Sequence, residues 1–180
     1  RLASFVTDGS VPADINVIDR DFDGMMDHAY TADTAGGVYR IDFVDPANPG
    51  TVLAPAAWTI TKIGQMASGG GRKFLFSPAA VPTSGKVYLS LASGDRERPL
   101  ITNYPFPATA GAGVLNRAYM LVDTFTTTGL PVNMDDNTVM QDFIAGSTCT
   151  TPSAEASGKK GWFINLNAAG ANPTDNVGEQ

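Results

Sequence analysis

The stretch Asp19-Arg20-Asp21-Phe22-Asp23-Gly24-Met25-Met26-Asp27 carries the strongest chemical signal in this chain. Four carboxylates fall on alternate or near-alternate positions around one glycine. Charges of one sign at that density repel, and a cation relieves the repulsion. Hard oxygen donors converging from a short loop suit Ca²⁺ better than any transition metal. Mg²⁺ fits less well, because it keeps several waters and rarely has a dedicated protein cage. The plain alternative is a solvated acidic turn.

The spacing follows the opening of an EF-hand loop, in which positions one, three and five give side-chain oxygens and position seven a backbone carbonyl. Glycine at position six permits the sharp turn. Asp19, Asp21 and Asp23 are therefore assigned as side-chain ligands, Met25 as a carbonyl ligand and Asp27 as the closing carboxylate. The pattern departs from an EF-hand at position twelve, where Tyr30 replaces the usual glutamate. The expectation is a shorter loop without flanking helices, entered by Ile15–Ile18 and left by Ala29–Thr31.

Other sites are weaker. His28 is the chain's one histidine, and no Gly-x-Ser-x-Gly occurs, so neither a triad nor a zinc set is indicated. Ser68-Gly69-Gly70-Gly71-Arg72-Lys73 lacks the ending of a phosphate loop and reads as a hairpin connection. Asp95-Arg96-Glu97-Arg98 reads as an internal salt-bridge turn, with a subunit contact surface as the alternative. Its carboxylates, two positions apart, point to one side of a strand rather than across a substrate. Trp58 and Trp162 sit in apolar runs and are expected in the core. Cys149 is alone, which excludes a disulfide within the chain.

The elements that must position the loop are strands. Nineteen glycines and twelve prolines in 180 residues, with many Thr, Val and Tyr, favour turns and strands. Candidate strands are Leu2–Val6, Asp14–Ile18, Ala29–Thr31, Val38–Phe43, Trp58–Ile63, Lys73–Ser77, Lys86–Leu91, Arg117–Val122 and Gly161–Leu166. Alternation along the fourth puts Val38, Arg40 and Asp42 on one face and Tyr39, Ile41 and Phe43 on the other. Helical signal is weak, the best case being about two turns at Val139–Ala145. Long loops are expected at 44–57, 102–113 and 145–159. No β-α-β alternation occurs, so the fold class is all-β: a sandwich, barrel or propeller. The net charge of −6 and the lack of a basic cluster argue against nucleic acid. No apolar run is long enough for a transmembrane segment. The chain starts at Arg1 without Met and stops at Gln180, as a fragment or processed product would.

Several motifs, in order, resemble one family. Gly9-Ser10-Val11-Pro12-Ala13-Asp14 precedes the acidic loop. Tyr30-x-x-Asp33-x-x-Gly36-Gly37-x-Tyr39-Arg40-x-Asp42 follows it. Further on stand Ser93-Gly94-Asp95-Arg96-Glu97-Arg98-Pro99-Leu100, Asn116-Arg117-Ala118-Tyr119-Met120-Leu121-Val122-Asp123, Lys160-Gly161-Trp162-Phe163-Ile164-Asn165-Leu166 and Gly178-Glu179. This series is similar to the C-terminal domain of the PilC/PilY proteins, type IV pilus biogenesis factors and tip adhesins. Arg98 stands where the family usually has histidine. The resemblance implies a modified β-propeller, a calcium loop and secretion to the cell surface or pilus tip by way of the periplasm. It also implies a non-enzymatic role in pilus extension and retraction, surface attachment and twitching motility. Pilins or minor pilins, and a host or abiotic surface, are the implied partners.

With blades of roughly 40–50 residues, residues 1–180 supply about three to four blades of such a propeller. The remaining blades are expected from outside this sequence or from other chains. Asp33-Thr34-Ala35-Gly36-Gly37-x-Tyr39-x-x-Asp42 also resembles quinoprotein-type propeller repeats, in which the turn and the final aspartate hold neighbouring strands. An enzyme of that group, using calcium to hold a redox cofactor, is the alternative function. A purely structural calcium-stabilised segment is another.

Overall fold

The computed structural model describes residues 1–67, 72–83, 85–94, 116–143 and 158–166. Among these residues twelve strands run in chain order: β1 (Asn16–Ile18), β2 (His28–Ala32), β3 (Gly37–Asp42), β4 (Val44–Asp45), β5 (Asn48–Val52), β6 (Thr59–Gln65), β7 (Ala79–Thr83), β8 (Lys86–Ala92), β9 (Arg117–Asp123), β10 (Val132–Asn133), β11 (Gln141–Asp142) and β12 (Gly161–Asn165). The one helical element among the described residues is a 3-10 turn at Pro55–Ala57. The expected all-β class is what is observed.

The strands form three sheets. One has the order β1-β2-β3-β6-β10, a second β11-β12-β9-β8-β7, and β4-β5 make a two-stranded ribbon. Among the described residues neither large sheet closes on itself. Both contribute to one apolar core: Tyr30, Val38 and Ile63 from the first meet Val87, Leu89, Tyr119, Leu121 and Phe163 from the second. Gly64 lets the two approach, since a Cβ there would sit 2.7 Å from Met134 Sδ and 3.0 Å from Leu121 Cδ2.

Most candidate strands form near their expected places, and the differences have physical causes. Leu2–Val6 and Lys73–Ser77 form no strand. The backbone N–H of Phe74 instead donates to Asp33 O, which seats the Phe74 ring in the core. The segment expected as a loop at 44–57 holds the β4–β5 ribbon, an edge position where Pro49 is tolerated. β7 was hidden in the same way by Pro82, and it too lies at a sheet edge. Within Val139–Ala145 the described part is not helical. Gln141–Asp142 pairs in parallel with Trp162–Phe163 while Met140 is buried. Trp58 and Trp162 are half-buried outside the core cluster, packed against Phe43 and Phe143 at 4.8 Å and 5.9 Å. The expected loop at 102–113 and nearly all of that at 145–159 lie outside the described residues.

A buried ionic network crosses between the two large sheets. Arg40 on β3 is fully buried. Its Nη1 donates to both oxygens of Asp123 on β9, at 2.8 and 3.0 Å, and its Nε donates to Asp42 Oδ1 at 2.7 Å. Tyr30 donates its hydroxyl to Asp123 Oδ2 at 2.9 Å. His28 Nδ1 lies 2.8 Å from Asp42 Oδ1, and its ring stacks on Phe125 at 4.8 Å. Burial raises the Asp42 carboxyl, but hydrogen bonds from His28 and Arg40 outweigh it and hold that group below the ordinary carboxylate range. Asp135 behaves alike. Burial raises it, while the Ala67 N–H, Arg72, Tyr119 and Arg117 bring it below the ordinary range.

Two outcomes follow from these buried carboxylates and the cation between them. Removing the cation alone leaves two buried carboxylates uncompensated, so Arg40→Met should lower unfolding free energy by about 3–5 kcal/mol in urea titrations. Asp42 and Asp135 titrate lower when folded than unfolded. Their stabilising contribution is therefore complete above about pH 4 and is lost as pH falls through their folded values. The urea midpoint should drop as pH falls below about 4, with a shallower drop in Asp135→Asn.

Candidate metal centre

The acidic loop is the connection between β1 and β2. Ile18 pairs with His28 across the antiparallel ladder, and the Asp27 N–H donates to Ile18 O at 2.9 Å. The loop thus leaves and re-enters the sheet at one point, on the strand–loop–strand corner that the sequence suggested. Asp27 is pinned from several sides. Its carbonyl accepts from Phe43 N at 2.9 Å, its Oδ2 accepts from Arg20 N at 2.7 Å, and it is 2% exposed.

The turn closes on its own carboxylates. Asp19 Oδ1 accepts from Phe22 N at 2.6 Å and Asp19 Oδ2 from Gly24 N at 2.8 Å. Asp21 Oδ1 accepts from Asp23 N at 3.3 Å. Gly24 has φ +92° and Phe22 φ +63°. Such left-handed backbone is cheap for glycine, whereas a bulky residue adopts it only where its surroundings impose it.

Asp19, Asp21 and Asp27 each bring one carboxylate oxygen within 4.8 Å of the other two. Oxygens of one Ca²⁺ shell, each 2.3–2.6 Å from the ion, lie within about 5 Å of each other, so this donor set fits a hard cation. Asp23 is not in that group. Its Oδ1 accepts from Met25 N at 2.7 Å, and its side chain lines a neighbouring hollow. Met25 lines the same hollow and is 52% exposed.

Beyond the corner, Asp33 organises the turn between β2 and β3. Its Oδ1 accepts from Ala35 N and Gly37 N at 3.0 and 2.7 Å. Its Oδ2 accepts from Gly9 N and the Tyr39 hydroxyl at 2.8 and 2.9 Å. Asp33 and Asp42 therefore both tie strands together, as read from their motif. The partner of Arg40 and Tyr30 on β9, Asp123, was missed. The sequence showed only an acid ending an apolar strand, with nothing to set it against Arg40. Gly69–Gly71, Asp95–Arg98, Cys149 and Gly178-Glu179 lie outside the described residues.

No family model matches the chain, and no curated protein matches its sequence. Among solved structures, the crystal structure of the Pseudomonas aeruginosa PilY1 C-terminal domain is similar, with a TM-score of 0.60 at 14% identity. The match covers 88% of this chain and 39% of that one, so the chain spans well under half the length of the structure it resembles. The resemblance to the PilC/PilY C-terminal domain, drawn from the order of motifs, is borne out as a likeness of fold: the chain has the all-β, propeller-type architecture of that domain, with sheets that are not closed.

Proposed function

We propose that this chain is the calcium-binding portion of a type IV pilus-associated biogenesis factor or tip adhesin. It acts without catalysis of its own in pilus extension and retraction, surface attachment and twitching motility. The observation that carries this reading is the convergence of Asp19, Asp21 and Asp27 at the β1–β2 corner of a chain with the PilY1 C-terminal fold. Bound Ca²⁺ supplies charge neutralisation there. Asp19, Asp21 and Asp27 would hold it, with the Met25 carbonyl as the expected further donor, while Asp23 caps the Met25 N–H.

In this reading the protein works at the cell surface or pilus tip, after passing through the periplasm, and contacts pilins or minor pilins and a host or abiotic surface. The open edges of the two large sheets are compatible with further blades supplied from outside this sequence. No helix among the described residues is long and apolar enough to cross a membrane. Occupancy of the corner stiffens one end of the first sheet and so biases the contact with pilin.

Calorimetry should find one calcium site, weaker for magnesium. Asp21→Ala and Asp27→Ala should each weaken it by about tenfold or more, a loss at least that of an orienting partner. Asp23→Ala should weaken it less. Pilin capture should rise in calcium and fall in chelator, and capture that ignores calcium would leave the ion a purely structural role. Undiminished calcium binding in both Asp21→Ala and Asp27→Ala would remove the site assignment.

A further inference from the structure

A hollow of about 370 Å³ lies between the acidic loop and the β4–β5 ribbon, within the ~300–1,000 Å³ range of ligand pockets. Met25 and Met26 line it from the loop, Val52 from β5, and Phe43 and Trp58 from the segments flanking the ribbon. Met25, Met26 and Val52 are 52%, 52% and 61% exposed. Scattered exposed apolar residues need no explanation, but several around one concavity mark an interaction site. Methionine walls adapt to the shape of what enters.

Two further features define the occupant. Among the described residues, the charged ones lining the hollow are Asp23 and Asp27, and no lysine or arginine lines it. Asp27 is buried and belongs to the three-carboxylate group, which leaves the exposed Asp23 as the charge a ligand meets. That charge disfavours fatty acids and anionic headgroups and favours a cation. In addition, β5 pairs with β4 alone among the described residues, so its outer edge can take an added strand.

We infer that this hollow binds an extended peptide segment of a protein partner. The segment places an aromatic or long aliphatic side chain against Met25, Met26 and Trp58 and sets an adjacent lysine or arginine against Asp23. The inference rests on the hollow and on Asp23, and it does not require the cation.

Trp58 reports occupancy, once the second tryptophan is removed by Trp162→Phe. Its emission would be titrated with the blocked hexapeptide Gly-Thr-Phe-Lys-Thr-Gly, in chelator and again in calcium. Versions with Ser for Phe, or Glu for Lys, serve as controls. Calcium binding is followed separately by calorimetry, so failure of the metal site and failure of the peptide site are distinguishable. The expected result is a saturable shift for the Phe-Lys peptide, at least tenfold weaker binding for the Ser version, and clearly weaker binding for the Glu version. Asp23→Asn should weaken the Phe-Lys peptide by about two- to fivefold, the scale of an exposed ion pair. Val52→Lys, at an exposed edge position with circular dichroism unchanged, should weaken it by about tenfold. No saturable shift, or equal affinity for all three peptides, overturns the inference. A shift that depends on protein concentration alone overturns it as well, because a second copy would then fill the hollow.

Discussion

The buried guanidinium of Arg40 is the constraint on which the two sheets depend. A fully buried charge is tolerated only when its donors are met by acceptors in fixed places. Asp42 meets it within β3, and Asp123 meets it from β9 in the opposing sheet. Asp42 holds the Nε–Nη2 fork and so fixes the plane of the guanidinium, and Nη1, left to reach across, ties β9 to β3 through Asp123. Around it the apolar core can be built from ordinary strand residues, and Gly64 allows the close approach that the bridge demands.

The acidic corner belongs to the same construction. Asp27 and His28 are consecutive. Asp27 faces the loop, where it joins Asp19 and Asp21, while His28 meets Asp42 in the interior. The Phe43 N–H, one residue past Asp42, donates to the Asp27 carbonyl. The base of the loop is therefore anchored to the ionic network, and its tip is held by hydrogen bonds to its own carboxylates. In the proposed function, the cation acts on the half of the loop that the network does not hold. Repulsion among three carboxylates is concentrated on that side, where Asp19 and Asp21 reach toward solvent.

Much of this was legible in the sequence, for definable reasons. The phasing of Asp19, Asp21 and Asp27 around Gly24 is local, and local geometry brings those oxygens together. Strands with regular alternation, such as those over Val38–Phe43 and Arg117–Val122, form close to where they were read. Proline concealed the edge strands at Asn48–Val52 and Ala79–Thr83, because its cost falls away where the N–H faces no partner. Asp123 was illegible for a different reason. Its partners Tyr30 and Arg40 are far off in sequence, and spacing along a chain carries no record of which strands will face each other. Asp23 has the phase of a ligand, and its Oδ1 accepts from Met25 N at the rim of the hollow.

Hydrogen exchange of the loop amides, with and without calcium, tests the central claim most directly. At several millimolar Ca²⁺, above the ~10⁻³ M of weak extracellular modules, the amides of Arg20, Phe22 and Gly24 should exchange about tenfold more slowly or better. Those of β8 and β9 should be unchanged, because the stiffening is local. Loop amides that exchange at the same rate in calcium and in chelator, in a chain whose β8 and β9 remain protected, would contradict the account.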